Sequence, residues 1–199
     1  MDRPLASALR ELLRLFFQAQ GDLRISLRFA LLGGLAVSTW GVIRATQDID
    51  FMADSDPSPL RDVALREKIK KSFEKQGSSI QWRIGDHDDP IPLLLRIELS
   101  SRFHNVGSDI LWAHKRWQQE ALRRAINVEF DGIALPVLHP EDLILMKFDA
   151  GGPQDLLDVE ELIALGHPQI NLVRLKKSAT RLRLGRQLEQ CLRKAGRKI

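Results

Sequence analysis

The sequence predicts an α/β or α+β fold, in which helices flank a mixed β-sheet and a helical segment ends the chain. Three observations support this class. A strand, a short helix and a second strand follow one another within residues 27–52. Further strand-like stretches and a hairpin occupy residues 79–138. Amphipathic helical patterns stand at both ends, and helices and a sheet that each have an apolar face must pack against one another.

The first half of the chain alternates helix and strand signals. Apolar residues at every third or fourth position indicate helices, short apolar runs indicate strands, and glycines end the helices. Ser58 is the expected N-cap of the second long helix, with Pro59 at its first position. The predicted elements are a helix at 4–20 ending at Gly21, a strand at 27–32, a short helix at 35–40, a strand at 46–52 and a helix at 58–77.

The second half adds strands, a hairpin and helices. Asp131-Gly132 supplies the positive φ angles that a tight hairpin turn requires, and Pro140 suits the first position of a helix. We interpret the polar stretch DHDDP, which starts at Asp86, as a solvated loop and not as a metal site. The predicted elements are strands at 79–84, 91–99 and 108–113, a hairpin at 126–138, and helices at 139–151, 153–165 and 171–195, the last interrupted near Gly185.

Charge is unevenly distributed along the chain. Residues 166–199 contain ten Lys or Arg and one acid, a net charge of +9, whereas residues 1–165 contain 20 basic and 25 acidic residues, a net charge of −5. We therefore divide the chain into a domain at 1–165 and a basic helical extension at 166–199. A polyanion such as RNA suits this extension, and a solvated helix end explains the charge equally well.

Several classes of protein do not fit the composition. No run approaches the roughly 20 apolar residues that a membrane span requires, and charged residues interrupt the first helix, unlike a signal peptide. The single cysteine, Cys191, cannot form an internal disulfide. The five histidines form no zinc motif, and neither a P-loop nor a Gly-x-Ser-x-Gly elbow occurs. We expect a cytoplasmic protein without membrane contact.

Two acidic residues, Asp48 and Asp50, lie in the apolar run of the second strand. In a strand they share one face, and two carboxylates about 4 Å apart repel by about 4 kcal/mol at an effective dielectric near 20. Water, a shared proton or a divalent cation can offset that repulsion. An isolated pair indicates an exposed strand face. Gly33-Gly34 just upstream lets backbone N–H groups approach a phosphate, which favours a site for a triphosphate and a metal ion.

A site with two cations needs a third carboxylate. Phosphoryl transfer builds charge on both the entering and the leaving oxygen, which two cations can stabilise. Glu98 and Asp109 are the candidates on neighbouring strands. We favour Asp109 because it begins an apolar strand after a glycine turn, and a predicted hairpin separates it from Glu98.

The motifs resemble those of a known superfamily. The stretch LLGGLAVSTWGVIRATQDIDF at 31–51 resembles the nucleotidyltransferase signature, in which a Gly-Gly or Gly-Ser turn leads into a short helix and an Asp-x-Asp strand. The stretch VLHPEDLILMKFDAGGPQDLLDVEEL at 137–162 resembles the AbiEii-like and MNT-like members, in which a helix carries a lysine before a Gln/Lys-Asp-x-x-Asp segment. The resemblance spans about residues 27–165 and implies a nucleotidyltransferase-like sheet.

The resemblance also implies roles for individual residues, and an NTP as substrate. The implied ligands of Mg²⁺ or Mn²⁺ are Asp48, Asp50 and Asp109. The residues implied to contact the nucleotide are Gly33, Gly34, Arg44, Thr46 and Lys147. Two of these have a structural alternative, because Arg44 can instead form an ion pair and the Lys147 ammonium can instead extend to water.

Two acids three residues apart, Asp155 and Asp158, share one helix face. They can orient Lys147 or Arg44, or they can be surface acids near the start of a helix. For Asp158 we expect a surface position.

The function that follows is a Mg²⁺-dependent transfer of an NMP from an NTP to a hydroxyl of RNA, such as a tRNA end, or of a protein. AbiEii-like relatives belong to toxin–antitoxin systems, so the resemblance also implies a cognate toxin or antitoxin partner. The alternatives are an inactive toxin–antitoxin binding module and a non-enzymatic RNA-binding protein that uses the basic extension.

Overall fold

The computed structural model describes residues 3–46, 48–86, 91–99, 106–130 and 132–197. Its helices and strands alternate as a mixed α/β fold, which confirms the predicted fold class. In chain order the elements are α1 Arg3–Leu23, β1 Ser26–Leu32, α2 Gly33–Thr39, β2 Asp50–Asp56, α3 Val63–Glu74, β3 Ser79–Ile84, β4 Leu93–Glu98, β5 Gly107–Trp112, α4 Arg116–Arg123, β6 Ile126–Phe130, β7 Ile133–Val137, α5 Pro140–Ala150, α6 Pro153–Leu165, α7 Leu172–Arg181 and α8 Gly185–Lys194.

One seven-stranded sheet organises the molecule, with the strand order β3-β4-β5-β2-β1-β7-β6. β2 lies near the middle, antiparallel to β1 and parallel to β5. β5 is antiparallel to β4. Phe51 is paired with Ile110, so the residues just before them, Asp50 and Asp109, are also neighbours. The order of the strands thus brings together two residues that are far apart in sequence.

Different helices pack against the two faces of the sheet. On one face, Phe16 of α1 packs against Phe29 of β1 and Phe51 of β2, with ring centroids 4.7 and 5.0 Å apart. These rings belong to the main hydrophobic core. Met52 belongs instead to a second, smaller cluster that also contains Leu122 of α4. Since side chains alternate along a strand, the even-numbered residues of β2 face away from α1.

The helix between β2 and β3 begins later than predicted. Ser58 is not its N-cap, because the carboxylate of Asp62 caps the first turn by accepting a hydrogen bond from the Leu65 N–H at 2.9 Å. The Ser58 hydroxyl is instead within 3.4 Å of the backbone N–H of Leu60. Asp is as strong an N-cap as Ser, so composition alone did not distinguish them. The first helix likewise continues past Gly21 to Leu23.

The basic C-terminal segment forms two helices, which agrees with the interruption predicted near Gly185. The chain breaks between α7 and α8, where Arg183 has a φ of 62°. α7 packs against α5 and α8 packs against α6, and Leu175 and Leu192 are fully buried in the main core. The division at residues 165 and 166 stays a prediction. None of the helices in the described ranges has the length and apolar character that a bilayer crossing requires.

Two predicted features fall partly outside the described residues. Residues 87–90 of the DHDDP loop and Asp131 of the hairpin turn are among those not described. Gly132, the second residue of that turn, has a φ of 73°, which agrees with the positive φ predicted for it.

Candidate active site

The structure brings the three predicted acids to one pocket. Asp48, Asp50 and Asp109 line a cavity of about 520 Å³ where β2 and β5 begin. Asp50 is the first residue of β2, and Asp109 lies beside it on the parallel strand β5. The other candidate, Glu98, also lines the pocket but is exposed at the end of β4. A group of carboxylates therefore faces one space.

Asp48 reaches this pocket from outside the strand. The predicted strand at 46–52 is wrong at its start, because β2 begins at Asp50. β1 ends at Leu32, which is paired with Asp50. Residues 48 and 49 therefore have no pairing partner on β1. The backbone N–H of Ile49 donates instead to the Gly107 carbonyl at 3.1 Å. This contact ties the segment to the first residue of β5.

Like charges and burial act together on Asp50. Burial raises the pKa of Asp50 to about 6, and the nearby carboxylates of Asp109 and Asp48 contribute to the rise. A backbone hydrogen bond from Asp109 and the positive charge of Lys147 act in the opposite direction. Burial and the neighbouring carboxylates therefore favour the protonated form of Asp50, and a cation that binds there would favour the ionised form.

Arg96 is a site residue that the sequence did not reveal. It lies opposite Asp109 in the β4–β5 register. Its Nε donates to Asp109 Oδ1 at 2.7 Å and its Nη2 donates to Oδ2 at 2.5 Å. Asp109 raises the pKa of Arg96, and Asp48 and Asp50 add to the effect. Alternation along LLLRIEL places Arg96 and Glu98 on one face, which is the signal that could have identified it.

The glycine turn packs directly onto the acids. Gly33 has a φ of 71°, and a Cβ there would lie 2.2 Å from Asp50 Oδ2. A Cβ at Gly34 would lie 3.0 Å from Thr46 Oγ1 and 3.2 Å from Arg44 Cζ. The close approach of the backbone to Asp50 therefore depends on Gly33, and a side chain at Gly34 would press against Thr46 and Arg44.

A buried ion-pair network borders the turn. Asp158 Oδ2 lies 2.5 Å from Arg44 Nη1 and 2.6 Å from Lys147 Nζ, and Asp155 Oδ1 lies 2.8 Å from Lys147 Nζ. Asp158 is fully buried, so its expected surface position is wrong. Its charge is tolerated inside because two cations neutralise it. Arg44 forms the ion pair considered as its alternative, and the buried Lys147 ammonium does not extend to water.

The donor set fits a divalent cation that binds together with a nucleotide. In the described part of the chain, no three His, Cys, Asp or Glu side chains are close enough to hold a metal ion by themselves. Both oxygens of Asp109 already accept from Arg96. Mg²⁺ commonly takes only one or two carboxylates, plus phosphate oxygens of the substrate. Asp48 and Asp50 meet that requirement, and Asp109 becomes available when it separates from Arg96.

A comparison with protein families identifies the family to which the chain belongs. A family described as "Nucleotidyltransferase of unknown function (DUF6036)" matches residues 8–184. The chain belongs to this family. The match covers the glycine turn, the acids and helices α5 and α6, so the predicted resemblance to nucleotidyltransferases is confirmed. No curated protein has a significantly similar sequence.

Solved structures of nucleotidyltransferases are distantly similar to this family member. An antigenic nucleotidyltransferase-like protein from Paracoccidioides brasiliensis is 19% identical, over 94% of this chain and 91% of that one, with a TM-score of 0.48. A putative nucleotidyltransferase from Thermotoga maritima is 17% identical, over 76% and 88%, with a TM-score of 0.47. The antibiotic-resistance factor ANT(2″)-Ia is 16% identical, over 92% and 97%, with a TM-score of 0.49. None of these similarities identifies a substrate for this chain.

Proposed function

We propose that this protein is a Mg²⁺- or Mn²⁺-dependent nucleotidyltransferase that moves an NMP from an NTP to a hydroxyl group. The observation that carries the proposal is the convergence of Asp48, Asp50 and Asp109 in one pocket, with Gly33 in van der Waals contact range of Asp50. Membership of a nucleotidyltransferase family supports it.

The proposed reaction is a single displacement at the α-phosphorus. The acceptor oxygen forms a new P–O bond, the bond between the α- and β-phosphates breaks, and pyrophosphate leaves with the bonding electrons. Asp48 and Asp50 would hold the cation, which supplies charge stabilisation at the entering and leaving oxygens. Asp109 would accept the hydroxyl proton once Arg96 no longer occupies its oxygens, and would release that proton to solvent.

The rest of the site would hold the triphosphate. The backbone of Gly33 and Gly34 would contact the β- and γ-phosphates, because the absence of side chains there permits close approach. Arg44 and Thr46 border the same turn, and Lys147 shares Asp158 with Arg44. The positive charges of Arg44 and Lys147 would attract the phosphates. Asp158 would fix both cations in place and limit how far they move.

The acceptor we propose is RNA, with a tRNA end as one example and a protein hydroxyl as the rival. The ten basic residues of 166–199 favour a polyanion. We propose the AbiEii-like or MNT-like branch and a toxin or antitoxin partner on the motif resemblance alone, and a cytoplasmic location on the composition alone.

Label transfer tests the enzymatic proposal. Purified protein is incubated with each labelled NTP, Mg²⁺ and either total RNA or an RNA-free lysate. We expect label in RNA, lost in Asp48→Asn and retained in Glu67→Gln, which alters an exposed acid of α3. If no labelled product appears, or if its formation does not require Asp48, the proposed activity is wrong.

A binding module without activity is the second candidate. The observation in its favour is that the Arg96 guanidinium donates to both oxygens of Asp109, which leaves that carboxylate unavailable to a metal ion or an acceptor. Calorimetry with a nonhydrolysable NTP and Mg²⁺ separates the two candidates. The enzyme must bind both ligands, whereas a module would bind a protein encoded beside it and no NTP. Deletion of residues 171–199 is unsuitable for testing RNA binding, since it would remove core residues such as Leu175 and Leu192.

A further inference from the structure

An apolar cleft of about 140 Å³ lies beside the acids. Met52 and Leu111 line it, and each follows an acid of the pocket by two residues along its strand, Asp50 on β2 and Asp109 on β5. Residues two apart in a strand share one face and are separated by about 7 Å. The cleft therefore opens on the same face of the sheet as the acids, at about that distance from them.

The walls of the cleft are mostly apolar, with a few polar groups among them. The remaining lining residues are Ile91, Trp112, His114, Gln118, Met146, Asp149 and Ala150. The buried Gln118 accepts with Oε1 from the backbone N–H of His114 at 3.0 Å, and burial lowers the pKa of the His114 ring, which favours its neutral form. An engineered apolar cavity of about 150 Å³ holds a benzene molecule. The cleft thus suits one planar ring with polar edges.

The position of the cleft indicates which substrate enters it. In an in-line displacement the entering and leaving oxygens lie on opposite sides of the phosphorus. The glycine turn that would hold the leaving pyrophosphate follows β1, and Asp109 is on β5, while β1 and β5 flank β2 on opposite sides. The acceptor hydroxyl must then arrive over β5. The cleft lies over β2 and β5, on the acceptor side.

Cations lie on and beside α4, the helix whose Gln118 lines the cleft. Lys115 precedes α4 and pairs at 2.7 Å with Asp149, which lines the cleft. On α4, Glu120 pairs with Arg116 at 3.2 Å and with Arg181 of α7 at 3.4 Å. Arg116 has 91% of its side chain exposed, and exposed ion pairs contribute little free energy. Phosphate groups can therefore replace these carboxylates at small cost, which a chain of nucleotides would exploit.

We propose that the cleft binds the base of the acceptor's terminal nucleotide, so that the sugar hydroxyl of an RNA 3′ end lies at Asp109, while Lys115, Arg116 and Arg181 bind the preceding phosphates. The inference rests on the proposed function and specifies its acceptor. In a nucleotide the sugar ring lies between the base and the 3′-hydroxyl. Its length matches the distance of about 7 Å between the cleft and Asp109. A serine or threonine acceptor has no ring, and tyrosine carries its hydroxyl directly on the ring.

Filling the cleft tests the inference. In Leu111→Trp, and in Met146→Trp as a second variant on a different element, an indole occupies the space of the base. An eight-nucleotide single-stranded RNA with a 3′-hydroxyl is the probe, with affinity measured by fluorescence anisotropy. We expect about tenfold weaker binding, since stacking of one base contributes about 5- to 150-fold. Val63→Trp, which adds the same group at an exposed site on α3, should bind as the unaltered protein does.

An RNA probe that lacks its terminal base distinguishes the contribution of the base to affinity from that of the phosphates. An RNA of the same length with an abasic 3′ nucleotide should bind the unaltered protein about tenfold more weakly than the intact RNA does. The cleft variants should bind the abasic and the intact RNA with equal affinity. The double variant Arg116→Gln with Arg181→Gln should reduce the slope of log affinity against log salt by about 1.4, which is about 0.7 for each phosphate contact.

Nucleotide binding in the same variants distinguishes the rival outcomes. We expect the affinity for a nonhydrolysable NTP with Mg²⁺ to be unchanged in Leu111→Trp. If NTP affinity falls and RNA affinity does not, the cleft holds the base of the donor, and the inference is overturned while the enzymatic proposal stands. If the abasic RNA binds as tightly as the intact RNA, the inference is also overturned. Base-dependent RNA binding without any transfer would support the cleft and contradict the enzyme.

Discussion

Ionised Asp50 should reduce the stability of the metal-free protein. Its pKa rises from 3.8 to about 6, and each unit corresponds to about 1.4 kcal/mol. The shift of about two units amounts to about 3 kcal/mol, which partial solvent access reduces to about 2 kcal/mol. Below pH 4 the carboxyl is protonated in both the folded and the unfolded state. As pH rises from 4 to 6 the unfolded state releases its proton first, so stability falls, and the full cost applies above pH 6.

The substitution Asp50→Asn removes this charge at nearly constant volume. At pH 7.5 with EDTA we expect the variant to be about 2 kcal/mol more stable, with a Tm higher by about 4–8 °C for a chain of this length. At pH 4.5 the gain should mostly disappear. Urea denaturation at both pH values measures it, and the matched control is Glu67→Gln, an exposed acid on α3. Transfer activity should be lost, so stability and function would change in opposite directions.

Mg²⁺ provides a second comparison for the same variant. A cation that binds Asp48 and Asp50 stabilises only the folded state, so Mg²⁺ with a nonhydrolysable NTP should raise the Tm of the unaltered protein more than that of Asp50→Asn. The electrostatic reasoning is refuted if Asp50→Asn is no more stable at pH 7.5, or if a gain of the same size persists at pH 4.5.

Three further substitutions follow from contacts in the site. Gly33→Ala should destabilise the protein by about 2 kcal/mol more than Gly77→Ala in urea denaturation, because both glycines have positive φ but, of the two, only a Cβ at Gly33 meets another side chain. Asp158→Asn should cost about 3 kcal/mol by the same measurement, since Arg44 loses its partner and the buried Lys147 keeps only Asp155, whereas Asp155→Asn, at a partly exposed site, should cost about 1 kcal/mol or less. Arg96→Gln should bind Mn²⁺ about tenfold more tightly in calorimetry without NTP, because it removes a competing positive charge, and an unchanged affinity would contradict that competition.

Local signals predicted much of the fold. Strand β3 matches its predicted range of 79–84, because its run of alternating residues is bounded by turn signals on both sides. Helices α5 and α6 each begin at a proline and end at a glycine in the left-handed region, Gly151 and Gly166. These signals depend on neighbouring residues alone. The order of strands in the sheet could not be predicted in this way, because it depends on pairing between distant segments, as between β2 and β5.

The site shows the same division between local and distant contacts. The glycine turn and the Asp-x-Asp segment are close in sequence, and the resemblance joined them correctly. The pairing of Arg96 with Asp109 required the register of β4 on β5, which the sequence does not specify. The burial of Asp158 was missed because charged residues near the start of a helix usually lie at the surface, and its partner Arg44 is 114 residues away.

The two ion-pair groups of the site should behave differently when a nucleotide binds. Asp158 is fully buried between Arg44 and Lys147, so separating those partners would leave charge unpaired inside the protein, at a cost of several kcal/mol. The pair of Arg96 and Asp109 has side chains 38% and 21% exposed, and water can solvate both groups if they part. A cation bound to phosphates carries both signs of charge, and so can replace each partner of an exposed pair. We therefore expect the buried network to stay fixed as the frame of the site, while Arg96 and Asp109 separate and exchange their contacts for the substrate.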